Sequence, residues 1–155
     1  MLRRINKDIN SLKKEDLNIF IPESDIKKII VDFKGPKDTI YETGVWKIKI
    51  EFPVEYPLKS PCVNFETPIY HPNVEPKSGA ICLDVLTTEW TPMYEIKHIF
   101  DTFLPQLLSY PNPDDPFNTV AAAELKNNKA KFEKNVIEYI NKYCNKDGNS
   151  EKIFV

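Results

Sequence analysis

The features this sequence lacks narrow its class before anything in it points to a function. There is no basic surplus: 21 Lys and Arg stand against 23 Asp and Glu, a net charge of -2. Nucleic-acid-binding domains of this size usually carry a positive excess, so no nucleic-acid partner is expected. No apolar run approaches the roughly 20 residues of a bilayer-spanning helix, so no membrane role is expected either. The opening "MLRRINKDINSLKKEDL" is basic, but no apolar stretch follows it, and it does not read as a secretory signal. Cys62, Cys82 and Cys144 are odd in number and form no C-x-x-C pair, which predicts reduced thiols in a cytoplasmic or nuclear chain. Internal repeats and low-complexity tracts are also missing. The 155 residues suit one ordinary domain with a substantial core.

Helical periodicity opens the chain. Leu2, Ile5, Ile9 and Leu12 fall on one face, with Arg3, Arg4 and Lys7 on the other. Then come β-branched and aromatic runs, "LNIFI", "IKKIIVDFKG", "VWKIKIEF" and "PCVNFE", separated by turn residues. In the third, Trp46, Ile48 and Ile50 alternate with Lys47, Lys49 and Glu51. "GPKDTIYETG" joins the second and third runs like a hairpin. Four strands with short connections predict an antiparallel meander. Residues 67 to 92 show no long period, yet Ile69, Tyr70, Ile81, Leu83, Val85, Leu86 and Trp90 should pin that stretch to the core. Ile96, Ile99, Phe100, Phe103, Leu104, Leu107 and Leu108 mark a central helix covering the sheet, with Pro105 expected to kink it or shorten its last turn. "TVAAAELKN" predicts a short helix. Phe132, Val136, Ile140 and Tyr143 predict a last one, before the loosely held "NKDGNSEKIFV".

The chemistry concentrates in "IYHPNVEPKSGAICLDV". Free cysteine is by default a buried structural residue, and Cys62 and Cys144 keep that reading. For Cys82 there are alternatives. A zinc site would draw on His71, Cys82 and His98, but their spacing matches no paired-ligand motif. A Cys–His pair needs a base within reach of the thiol, and His71 reads as readily as a packed histidine bracing its loop. A cysteine without a base can still act on a substrate that arrives activated, such as a thioester. Asn73 could then hold an oxyanion with its side-chain N–H. It could equally bond its own backbone in a turn, and spacing leaves both readings open.

Together, His71-Pro72-Asn73, the "GAICLDV" around Cys82, Trp90, Pro92 and the "YPNPDDP" at 110 to 116 strongly resemble the ubiquitin-conjugating enzymes. Upstream, Gly35, Pro36, Tyr41, Gly44, Tyr56, Pro57 and Pro61 occupy matching places, while Thr43 and Ser60 depart from the pattern. The resemblance runs from about residue 2 to 144. "GVWK", "CLDV", "FLPQLL", "AAA" and the proline in the central helix are most similar to the H type. So is the Asn73-to-Cys82 interval of nine (82 minus 73). H-type relatives commonly end in a long acidic tail, and this sequence stops soon after its last helix.

The resemblance implies an α+β fold: an N-terminal helix, a four-stranded antiparallel meander, a central helix and two C-terminal helices. It implies a catalytic domain over 1–146 and a short flexible tail over 147–155, with a cis peptide at Tyr56-Pro57. Cys82 would accept ubiquitin as a thioester, Asn73 would support the oxyanion or its loop, and Asp115 would sit near the incoming lysine. His71, Asp84 and Asn112 would support that site. Arg3, Arg4 and Lys7, with Leu58, Thr91, Pro92 and Met93, would meet the ubiquitin-activating enzyme and a RING-type ligase, for the H type a large multisubunit one. Substrate proteins complete the partners, and the chain would act as a monomer. No cofactor is implied, because ATP is used by the upstream activating enzyme. Two rivals are a catalytically inactive ubiquitin-binding variant and a conjugating enzyme for another ubiquitin-like modifier.

Overall fold

The computed structural model describes residues 2–15, 17–22, 27–81 and 90–144. Helix α1, Leu2–Lys13, leads into a sheet of β1, Ile19–Phe20, β2, Lys28–Lys34, β3, Val45–Glu51, and β4, Cys62–Phe65. The strands lie in chain order and every pair is antiparallel, the meander expected of four runs with short connections. β1 and β4 are shorter than their apolar runs. β1 keeps only the Ile19↔Val31 and Phe20↔Ile30 pairs.

The alternation in β3 translates directly into two faces. Trp46, Ile48 and Ile50 are buried, facing the core with Ile29, Val31 and Phe33 of β2. The opposite face is held by charge. Asp32 and Lys47 stand directly across from each other, as do Lys28 and Glu51, and both pairs form ion pairs. Lys49 reaches Glu66 at 3.5 Å. Cross-strand charge pairs of this kind suit a face left to solvent.

The π-helical turn Ile99–Phe103 and the α-helix Leu104–Ser109 together make α2. Ile96, Ile99, Phe100, Phe103, Leu104 and Leu108 join the sheet's inner face in one core, with Phe100 and Phe33 ring centres 6.4 Å apart. Pro105 does not shorten the last turn of α2, one of the two effects the sequence suggested. A proline lacks an N–H and its ring collides with the carbonyl four residues back. Here the preceding turn widens instead, and the Leu104 N–H donates to the Ile99 carbonyl five residues earlier. The helix runs on to Ser109.

α3, Thr119–Asn127, and α4, Lys129–Tyr139 with a further π-turn Ile140–Cys144, follow. Both start at asparagines whose side chains accept from the third residue on: Asn118 from the Ala121 N–H and Asn128 from the Lys131 N–H. The Tyr56-Pro57 peptide is cis, as the resemblance implied. No helix among the described residues is long and apolar enough to cross a membrane.

The Asp32–Lys47 pair offers a check on the outer face. Lys47→Glu places like charges in register and should cost about 1 kcal/mol. Adding Asp32→Lys should recover most of it. Urea unfolding of the two variants measures both steps.

Candidate active site

Residues 66–81, after β4, form only isolated bridges and no helix, so their backbone groups must find partners one by one. Trp46 Nε1 donates to the Pro68 carbonyl at 3.2 Å and the Tyr41 hydroxyl to the Tyr70 carbonyl at 2.7 Å. Ile69, Tyr70 and Ile81 are buried as expected, while Leu83, Val85 and Leu86 lie outside the described residues. The turn before Ile81 depends on Gly79, which has φ +72 and would place a Cβ 1.9 Å from the Phe65 carbonyl oxygen. Only glycine fits so close an approach in that conformation.

His71 is wholly buried. Its Nδ1 accepts from the Asn73 N–H at 2.9 Å, so Nε2 carries the proton and donates to the Leu107 carbonyl at 3.0 Å. Burial pushes its pKa from 6.5 down to about 4, against the opposing pull of the Leu107 carbonyl. The imidazole is therefore neutral at physiological pH, and both ring nitrogens are engaged. It holds the loop to α2 and is not available as a base.

The partners of Asn73 favour the bracing reading. Its Nδ2 donates to the Asn112 carbonyl at 2.7 Å and, at 3.3 Å, to the Asp115 carbonyl. Its Oδ1 accepts from the Asn112 N–H at 2.8 Å. Both amide protons are used within the chain, and the side chain clamps the 112–115 loop. One residue earlier, the Pro72 carbonyl accepts from the Phe117 and Asn118 N–H groups at 2.8 and 2.9 Å. The His-Pro-Asn stretch is thus tied to α2 on one side and to the approach to α3 on the other.

These contacts shape a cleft of about 280 Å³ lined by Asn73, Ile81, Tyr94, Thr102, Phe103, Gln106, Leu107, Tyr110, Asn112 and Asp115. Asn112 and Asp115 are exposed at its edge. Asp114, the other acid of "PDDP", pairs with Lys126 of α3 at 2.7 Å, leaving Asp115 as the acid of that loop that lines the cleft. Cys82 and Asp84 lie outside the described residues, but Ile81, the residue before Cys82, forms part of the cleft wall. Of the other cysteines, Cys62 is exposed on β4. Cys144 is half-buried, and burial pushes its thiol up to about 11. No group of three His, Cys, Asp or Glu among the described residues could hold a metal ion.

Three comparisons bear on this arrangement. The family model for the ubiquitin-conjugating enzyme matches residues 3–140. The chain belongs to the ubiquitin-conjugating enzyme family. It is 45% identical over 151 residues to ubiquitin-conjugating enzyme E2 5 of Arabidopsis thaliana, covering 97% of this chain and 82% of that one. It is 41% identical to ubiquitin-conjugating enzyme E2-24 kDa of Saccharomyces cerevisiae, over 94% of this chain and 66% of the other. Among solved structures, a ubiquitin conjugating enzyme from Plasmodium yoelii matches with a TM-score of 0.84 and 34% identity, covering 92% of this chain and 94% of its own. The α+β fold and the resemblance read from the sequence both stand, and the chain is a transferase of this family.

The remaining positions expected to meet partners form a separate group. Arg3 and Lys7 are exposed on α1, and Leu58, Thr91, Pro92 and Met93 are exposed on two loops. Arg4 does not stand with Arg3 and Lys7 as a solvated charge. Its guanidinium turns to Asp8 and to the carbonyls of Pro92 and Tyr94. Asp8 itself went unread, although it lies four residues from both Arg4 and Leu12, on the buried side of the helix. Asn118 was also missed. An asparagine just before "TVAAAEL" is a helix-start signal.

Two measurements follow. Because the folded state lowers the His71 pKa, its contribution to stability is fully present well above pH 6.5 and is lost as pH falls through 6.5 toward 4, where the unfolded chain takes up a proton that the folded chain refuses. Thermal or urea unfolding should show a loss of about 2 kcal/mol between about pH 7.5 and 5, approaching about 1.4 kcal/mol per unit, and His71→Gln should flatten that stretch. Asn73→Ala leaves the Asn112 N–H and two carbonyls without their partner and should cost about 1–3 kcal/mol. Faster hydrogen exchange at the Asn112 amide would accompany it. Unchanged exchange there would mean the loop is held by something else.

Proposed function

We propose that the chain accepts ubiquitin from the activating enzyme as a thioester on Cys82 and passes it to substrate lysine with a RING-type ligase. The observation that carries this reading is the cleft. The Asn73 clamp sets Asp115 on its edge, and the residue preceding Cys82 forms its wall. In the first step the Cys82 thiolate attacks the carbonyl carbon of the incoming thioester, and the activating enzyme's thiolate leaves. The two thioesters are similar, so this exchange needs no strong base. In the second step a lysine amine attacks the Cys82 thioester, the C–N bond forms, and the cysteine leaves as thiolate. The amine must lose a proton, and Asp115 is placed to orient it and receive that proton. A carboxylate alone raises an amine's pKa, so desolvation of the lysine must assist. Asn73 and His71 act by holding the loop and not by touching the reacting atoms. Asp84 and Asn112 help to shape the acceptor gate.

Upstream, ATP is consumed by the activating enzyme, which engages the exposed Arg3 and Lys7. The ligase engages Leu58, Thr91, Pro92 and Met93. Leu58 and Met93 are 77% and 88% exposed, apolar surface that a partner could cover. Their two segments adjoin, since Trp90 Nε1 donates to the Pro57 carbonyl at 2.8 Å. The H-type resemblance makes a large multisubunit RING ligase the fitting partner.

Incubation with activating enzyme, ATP and ubiquitin, followed by a non-reducing gel, tests the reading. A thiol-labile adduct should form, disappear in Cys82→Ala, and become a durable ester in Cys82→Ser. An adduct that survives Cys82→Ala and vanishes with Cys62→Ala would overturn the assignment. Loading with another ubiquitin-like modifier in place of ubiquitin would replace the substrate class.

A further inference from the structure

Asp8 lies on the core side of α1 with none of its surface exposed. A carboxylate out of water is costly unless it is paired and hydrogen-bonded. Its Oδ2 takes two donors, Arg4 Nε at 2.9 Å and the Tyr56 hydroxyl, while Oδ1 accepts no hydrogen bond among the described residues. The pairing satisfies Asp8 only in part, so it is a poor device for stability alone. What it does is gather two groups from different parts of the chain onto one oxygen.

Each of those groups leads to a loop. Arg4 Nη1 donates to the Pro92 carbonyl at 2.5 Å and Nη2 to the Tyr94 carbonyl at 3.0 Å, gripping the segment on either side of Met93. Its guanidinium also lies 5.8 Å from the centre of the Tyr56 ring. Tyr56 in turn anchors the turn that carries Leu58, whose N–H donates to the Glu55 carbonyl at 2.7 Å. Loop carbonyls 92 and 94 have no ladder, and a planar guanidinium can take both with two donors in fixed geometry. Asp8, accepting from Nε, adds the charged contact that fixes the orientation of the guanidinium.

We propose that Asp8 is a positioning residue for ligase docking, acting through Arg4 and Tyr56 to set Met93 and Leu58 as one surface. The inference rests on the docking reading given above for those two side chains. It assigns Asp8 no contact with the ligase, with ubiquitin or with the reacting atoms.

Three variants of the full chain test it. Asp8→Asn keeps the volume and an acceptor for Tyr56 but removes the charge that orients Arg4. Tyr56→Phe frees only the Leu58 arm, and Arg4→Lys keeps a cation that cannot reach both carbonyls. Amide hydrogen exchange is followed at Tyr94 and Leu58, with the β2–β3 amides as control for global unfolding. Each variant, preloaded with ubiquitin, is then titrated with a RING domain chosen because it accelerates discharge from the wild-type chain. In Asp8→Asn, exchange at both loop amides should rise about tenfold with the sheet amides unchanged. The half-saturating RING concentration should rise about tenfold, and discharge without the RING domain should stay within about twofold. Tyr56→Phe should quicken Leu58 more than Tyr94, and Arg4→Lys the reverse. If Asp8→Asn does not fold, that contrast between the other two variants decides the matter.

Unchanged loop exchange in Asp8→Asn overturns the clamp. Faster exchange with an unchanged RING titration overturns its role in docking. A wild-type chain that no RING domain stimulates overturns the docking reading beneath it, and the wild-type titration alone reveals that.

Discussion

Among the described residues after β4, 66–81 run past the core without a strand ladder or helix to take their backbone hydrogen bonds. A buried peptide group left unpaired costs on the order of 1–3 kcal/mol. That constraint accounts for Thr67, His71 and Asn73, polar side chains buried among these residues. His71 satisfies the Asn73 N–H and the Leu107 carbonyl with its two nitrogens, and only the neutral tautomer can do so. Asn73 satisfies three groups of the 112–115 loop with one amide. Each side chain acts as a piece of missing secondary structure. A histidine and an asparagine beside a cysteine resemble a catalytic set in sequence, and here their hydrogen-bonding capacity is spent on the backbone.

The division of labour has a chemical consequence. An acyl transfer between thioesters makes small demands on acid–base groups, because the thiolate is a strong nucleophile and a good leaving group. Such a site does better with precise placement than with a perturbed base. A loop fixed at Pro72 and Asn73 holds Asp115 through its backbone and leaves its carboxylate at the edge of the cleft. The rigid part sits below, and the group proposed to meet a varied acceptor stays on the surface.

Much of this was legible in the sequence, and the reasons differ by element. β3 read cleanly because Trp46, Ile48 and Ile50 alternate with charges, and a solvated face needs that period. The resemblance covered nearly the whole chain, so the order of elements came with it. Pro105 misled because sequence rules treat the helix as having one pitch, whereas the π-turn before it absorbs the steric cost. Asn73 stayed ambiguous because its partners are about forty residues away, and no local pattern reports them. Arg4 was grouped with Arg3 and Lys7 on the polar face because a helical projection shows where a side chain begins. A long guanidinium ends elsewhere, here against Pro92 and Tyr94. Asp8 escaped because a lone acid between Ile5, Ile9 and Leu12 looks like an interruption of the apolar stripe.

That interruption is the informative kind. Folding favours apolar groups inside and charges outside, and a sequence obeys the rule everywhere unless something else is required of it. Around α1 the rule is reversed twice within one connected network. Asp8 is wholly buried, while Leu58 and Met93 are among the most exposed large apolar side chains of the described residues. Either reversal alone could be noise: single apolar side chains on a surface are common, and a buried acid can be a relic of packing. Joined through Arg4, Tyr56 and the Trp90–Pro57 bond, they share a geometry that neither stability nor solubility would select. On the docking reading proposed above, a partner covering Leu58 and Met93 would recover the apolar burial that the isolated fold forgoes. The buried charge would then act at a distance, ordering the loops before the partner arrives, so that less conformational freedom is lost on binding.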